Sequence, residues 1–103
     1  MKSRYQIRFD FQNAISQARK LDDLADRLER TVVRRMDDVA SDLHAAWKSD
    51  SANRYIQKEQ ELKGSIKDTV DELRCIADDI RTIARRIYDA EMRALRIAQQ
   101  RKA

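Results

Sequence analysis

A chain of 103 residues with no proline and a single glycine, Gly64, has few ways to fold other than into helix. Tight turns, phosphate-cradling glycine loops and multi-stranded sheets depend on residues that this chain lacks. A chain of this size has room for one core, so residues 1–103 are read as one helical-hairpin domain. Charged residues make up 39 % of it, against about 25 % in an average soluble domain, and apolar residues 42 %. Charge is plentiful and core material is scarce.

Apolar side chains recur as Ile7, Phe11, Ile15, Ala18, Leu21, Ala25, Leu28, Val32, Met36, Val39 and Leu43. Every step is three or four residues, the period of an amphipathic helix. A second run goes from Tyr55 through Leu62, Ile66, Val70, Leu73, Ala77, Ile80, Ala84, Ile87, Ala90, Ala94 and Ile97. Between them Ser49, Asp50, Ser51 and Asn53 cluster after Trp47, and any of the first three suits a helix N-cap. The predicted arms cover about residues 7–45 and about 52–99, with a turn at about 46–51. Gly64 lies inside the second arm, where it marks a bend or a close contact at roughly 1 kcal/mol relative to alanine.

A first arm roughly 58 Å long followed by so short a connection requires the second arm to return antiparallel to it. Two helices bury one seam, whereas stripes such as Leu21/Leu24/Leu28 and Ile76/Ile80/Ile83/Ile87 are wider than one neighbour covers. The expected fold is therefore all-α: an antiparallel two-helix hairpin that assembles into a four-helix bundle as a dimer. Leu21, Leu28, Val32, Met36, Leu62, Ile66, Leu73, Ile80 and Ile87 are assigned to the dimer seam. Trp47, at the hand-over between the arms, reads as a hairpin-closing plug or an exposed anchor.

The net charge of +4 and pI near 9.5 arise from 22 basic and 18 acidic residues that nearly cancel. Arg81, Arg85, Arg86, Arg93, Arg96, Arg101 and Lys102 make the end of the second arm its basic pole, an arrangement that suits the helix macrodipole. No interleaved aromatics suited to base stacking accompany them, which argues against a nucleic-acid partner. A lone Cys75 and a lone His44 supply neither a disulfide nor a zinc site within one chain, and no cofactor is expected. No nucleophile stands with a base and an orienting group, so an enzyme is not expected. The N-terminal residues never reach an uninterrupted apolar stretch, and no segment has the length and apolarity of a membrane span.

Trp47-Lys48-Ser49-Asp50-Ser51-Ala52-Asn53-Arg54-Tyr55 resembles the W-x-G turn of the WXG100 (ESAT-6-like) proteins, in which an aromatic follows the tryptophan by eight residues. Ser49 stands where that family has glycine. With Ser51, Tyr55 and the later Arg86–Glu91 stretch, the pattern is similar to serine-bearing variants found in Gram-positive bacteria. The resemblance implies a helical-hairpin substrate or escort partner of the type VII (ESX/Ess) secretion system. Such a protein is cytoplasmic before export and secreted as a dimer without a cleavable signal peptide. The implied partners are an identical copy or a similar hairpin, such as the head of an LXG-type toxin, together with the secretion machinery. The family's export signal is Y-x-x-x-D/E. Tyr88 has the right location but is followed four residues later by Met92, with acids at Asp89 and Glu91. Tyr88 and Glu91 are the candidate signal; Tyr55 and Glu59 have the spacing but follow the turn. The rival readings are a cytoplasmic coiled-coil adaptor and a basic nucleic-acid or membrane-surface binder.

Overall fold

Ser3 opens the first helix. Its Oγ accepts a hydrogen bond from the Gln6 N–H at 3.1 Å, and its carbonyl accepts one from the Ile7 N–H at 3.0 Å. This N-cap starts the helix at Arg4, ahead of the first apolar position. The computed structural model describes residues 1–102, and the side chain of Lys102, counted in the basic pole, lies outside the described residues. The order is α1 (Arg4–Arg27), a π-helical segment (Leu28–Val33), α2 (Arg34–Ala46) and α3 (Asp50–Lys102), with no strand among the described residues. The fold is the all-α hairpin.

The chain divides into two compact units. One joins Met1–Leu21 to the chain from Cys75 onward. There the helical segments run antiparallel, Phe11 against Tyr88 and Lys2 against Glu91, over the buried Ile7, Ala18, Ala77 and Ala84. The other unit is Asp22–Arg74. Its antiparallel pair is marked by Arg74 on Asp26 and Glu29 and by Lys63 on Asp37, over the buried Ala25, Val33, Ala40, Ala52 and Val70. Six of these nine buried residues are alanine, and the largest fully buried side chain is Val70. Alanine lets helices approach closely, but each one removes little apolar surface from water.

The inner face of the first arm explains the π-helical segment. Buried and half-buried positions run Ile7, Phe11, Ala14, Ala18, Leu21, Ala25 and Leu28 in alternating steps of four and three. They resume as Val33, Met36, Ala40 and Leu43 with the same alternation. The step from Leu28 to Val33 is one residue too long for the pattern. A π-helix closes its hydrogen bonds one residue further along than an α-helix, so a single such turn absorbs the extra residue and keeps the seam inward. The apolar period read from the sequence continues instead through Val32 and Val39, and these two are exposed while Val33 and Ala40 are buried. Arg74 grips the start of this segment, donating to Asp26 Oδ1 and Glu29 Oε2, each at 3.1 Å. Asp26 first, and then Glu29, hold its guanidinium above its usual pKa.

α3 runs through Gly64 without a positive φ, and a Cβ built there meets nothing within 4 Å. Neither a left-handed backbone nor a close contact requires the glycine.

Single-residue deletions on either side of Val33 test the phase of the first arm directly. Arg30 is exposed inside the π segment and pairs only loosely with Asp26, at 3.6 Å. Its deletion is expected to turn the segment into regular α-helix with Val33, Met36, Ala40 and Leu43 still inward, and to leave the thermal midpoint unchanged or raised. Deleting Asp38 instead turns Ala40 and Leu43 by about 100° and should lower the midpoint by about 5 °C or more. Circular-dichroism melts of the two deletions, side by side, check both outcomes.

Candidate functional site

Trp47 ends α2 in an extended conformation, φ −137° and ψ 103°, with its N–H donating to the Leu43 carbonyl at 2.8 Å. Two residues on, Ser49 Oγ accepts from the Ala52 N–H at 3.1 Å and the Ser49 carbonyl from the Asn53 N–H at 3.0 Å. Of the three candidate caps it is Ser49 that starts α3, with Asp50 in the first turn where a carboxylate complements the helix dipole. Ser49 thus has a structural task that a glycine would perform less well, since glycine supplies no side-chain acceptor. The Trp47 indole is 48 % exposed and is not closed over as a plug, and Tyr55 is 63 % exposed; Ser51 is exposed as well. Ser49→Ala is expected to lower unfolding free energy by about 1 kcal/mol and Ser49→Gly by only a few tenths, as read from denaturant midpoints.

On the same unit Thr31, Val32, Arg35, Met36, Val39, Tyr55 and Glu59 line an open groove of about 360 Å³. Val32, Val39 and Tyr55 are exposed apolar side chains. Both carboxylate oxygens of Glu59 are shielded from solvent and accept no hydrogen bond.

On the other unit Tyr88 is half-buried, its ring tilted 43° to that of Phe11 with centroids 4.9 Å apart. The Arg85 guanidinium lies 5.0 Å from the Phe11 centroid and 5.9 Å from that of Tyr88, a cation–π arrangement. Glu91 accepts from Lys2 Nζ at 3.3 Å, and Lys2 also pairs with Asp10 at 3.0 Å. The Gln6 amide steadies Asp10 from the other side at 2.9 Å. A concavity of about 230 Å³ brings Tyr88 and Glu91 together with Ile87 and the Lys2–Asp10 pair.

The Lys2 cluster sets a pH window. The hydrogen bond from Lys2 holds Asp10 below its ordinary value of 3.8, so its contribution is present above that value and is lost as pH falls through the lowered one. Hydrogen bonds to Asp10, and then to Glu91, hold Lys2 above 10.5, so its contribution is present below that value and is lost as pH rises through the raised one. The cluster is expected to stay closed between about pH 4 and about pH 10 and to open on either side. NMR titration of Asp10 in the wild type and in Lys2→Ala checks this: the substitution should return the carboxyl toward its ordinary value.

Of the residues assigned to the dimer seam, Leu21, Leu28, Met36, Ile66, Leu73 and Ile80 are half-buried, while Val32, Leu62 and Ile87 are exposed. Phe11, Arg85 and Lys2 were not legible as partners of Tyr88 and Glu91 from helical period alone. A signal for the aromatic contact does exist in the chain. A hairpin folded symmetrically about Ser49 pairs positions whose numbers add to about 100, as do Phe11 with Tyr88, Asp26 with Arg74 and Asp37 with Lys63.

Among the described residues no three His, Cys, Asp or Glu side chains gather in a metal-binding group, and no helix is long and apolar enough to cross a membrane. The sequence model of the family described as proteins of 100 residues with WXG matches residues 6–92. No curated protein and no solved structure matches the chain.

Proposed function

Because the chain belongs to the WXG100 family, we propose that it serves type VII secretion as a substrate or as the partner of one, recognised by other proteins as a dimeric helical bundle. The observation that carries this reading is the apolar surface left outside the alanine-rich core. On α3, Tyr55, Leu62, Ile76, Ile83 and Ile97 are all exposed and fall at multiples of seven residues, the repeat of a helix that packs along a partner. A chain with so little buried volume of its own gains the missing burial by association.

In this reading the half-buried Leu21, Leu28, Met36, Ile66, Leu73 and Ile80 form the floor of the seam, with Val32, Leu62 and Ile87 at its edge. The partner is an identical or a similar hairpin. Trp47, Ser49, Ser51 and Tyr55 shape the turn surface, and Tyr88 with Glu91 forms the feature read by the secretion machinery. Tyr88 is positioned by Phe11 and Glu91 by Lys2, so the pair is held in place before any partner arrives.

Light scattering of the purified chain should give about 24 kDa, twice the 12.1 kDa of one chain, where the mate is an identical copy, and the single-chain mass where the mate is a different hairpin. Ile83→Asp should return a dimer to the single-chain mass with helicity retained, because it puts an unpaired charge on the exposed apolar stripe of α3 that the partner would cover, whereas Arg30→Ala should change neither. In a Gram-positive host the intact chain should reach the medium only when the secretion ATPase is present, and Glu91→Ala should abolish its export without dissolving the dimer. A protein that stays inside the cells in both backgrounds, alone and with a co-expressed hairpin partner, would instead be a coiled-coil adaptor.

A further inference from the structure

Charge is divided unevenly between the two units. The unit made of Met1–Leu21 and the chain from Cys75 onward carries twelve basic and five acidic residues, a net charge of +7, whereas Asp22–Arg74 carries ten and thirteen, a net charge of −3. Within the basic unit the cations are sorted again. Arg4, Arg8 and Phe11 follow one another at steps of four and three and share one flank of α1. The Arg85 guanidinium lies 5.0 Å from the Phe11 centroid, on that same flank, and Arg96, eleven residues further, returns to within about 20° of it around α3. Asp10 stands about 200° around α1 from Arg8, so the Lys2–Asp10–Glu91 cluster occupies the opposite flank. Asp89, one turn after Arg85, is the acid nearest the basic side of α3.

Beside Arg4 and Arg8 runs a short apolar ridge. Tyr5 and Phe9 each stand two residues from the buried Ile7 and so point away from the opposing helix. They are 76 % and 53 % exposed, and their rings stack with planes 19° apart and centroids at 6.4 Å. Met1, four residues before Tyr5, is exposed as well. The ridge stops at Phe9, because Gln12 and Asn13, the next positions in line, are polar. A seam for another helix would continue along the arm. A ridge confined to the helix end and bordered by arginines instead suits the headgroup region of an anionic bilayer, where aromatic rings sit at the boundary and guanidinium groups meet phosphates. A single-stranded nucleic acid would need open ring faces along the basic track. Here Tyr5 and Phe9 stack on each other, and Arg85 lies over Phe11 and Tyr88.

We propose that this flank docks on an anionic phospholipid surface, with Tyr5 and Phe9 entering the headgroup region and Arg4, Arg8, Arg85 and Arg96 facing lipid phosphates. The attraction is confined to the basic unit, since the other carries net negative charge. The inference depends neither on dimerisation nor on export.

The test is flotation of the full chain with vesicles of equal parts phosphatidylglycerol and phosphatidylcholine, and with vesicles of phosphatidylcholine alone. Wild type should bind the first and not the second, about tenfold or more weakly once salt is raised from about 50 mM to about 500 mM. R4Q/R8Q should weaken binding by about 30-fold and Y5Q/F9Q by about tenfold. R34Q/R35Q, which removes the same charge from the other unit, should change it by less than about twofold. No binding to the anionic vesicles would overturn the proposal. So would an equal loss in R34Q/R35Q, which would make net charge rather than this flank the cause, and so would undiminished binding by Y5Q/F9Q. Binding to a single-stranded oligothymidylate but not to the vesicles would overturn it in favour of nucleic acid. Should R4Q/R8Q lose its helical circular dichroism, R96Q decides: binding about fivefold weaker with helicity intact supports the flank, and unchanged binding overturns it.

Discussion

The burial of small residues, mostly alanine, in each unit governs most of what this chain does. Ala18, Ala77 and Ala84 in one unit, and Ala25, Ala40 and Ala52 in the other, let helices pack with little between them. The gain is a regular contact; the cost is a core that buries little apolar surface, since an alanine methyl displaces far less water than a leucine or isoleucine. The larger side chains are left at the flanks. Tyr55, Leu62, Ile76 and Ile83 are each about half exposed or more, an apolar surface of the kind that the proposed partner would cover. The same choice of residue explains both the close packing of the helices and the large apolar side chains left outside it.

A narrow seam also tolerates no error of phase. When the step from Leu28 to Val33 exceeds the repeat by one, an unbroken α-helix would rotate every later side chain on that arm by about 100°. The π-helical segment takes up the difference locally, and Ala40 and Leu43 remain inward. Such segments are commonly associated with function. Here the consequence reaches the surface, because the segment also decides that Val32 and Val39, rather than Val33 and Ala40, stand outward beside Arg35.

The turn and the far end of α3 show two ways of presenting an aromatic side chain. Trp47 is held by its backbone, whose N–H closes α2 while Ser49 begins α3, so the indole is placed without being packed away. Tyr88 is held by its ring, against Phe11 and under Arg85. Each unit also sets an acid beside a tyrosine, Glu91 with Tyr88 and Glu59 with Tyr55. Glu91 is answered by Lys2, whereas Glu59, four residues after Tyr55, accepts no hydrogen bond among the described residues.

Helix, two arms and one turn were legible in the amino-acid order, because the absence of proline, the scarcity of glycine and a three-and-four apolar period are local properties that each helical turn expresses for itself. Family membership was legible in Trp47 and its surroundings for the same reason. Which of two adjacent apolar residues faces inward was not. Val32 and Val33 fit a helical period almost equally well, and only packing against the opposing segment, with the π turn it calls for, chose Val33. Nor could local order reveal that Phe11 supports Tyr88, or that Glu59 loses its water without gaining a donor. Those outcomes depend on atoms brought together from distant parts of the chain, and their energies exist only once the two arms are side by side.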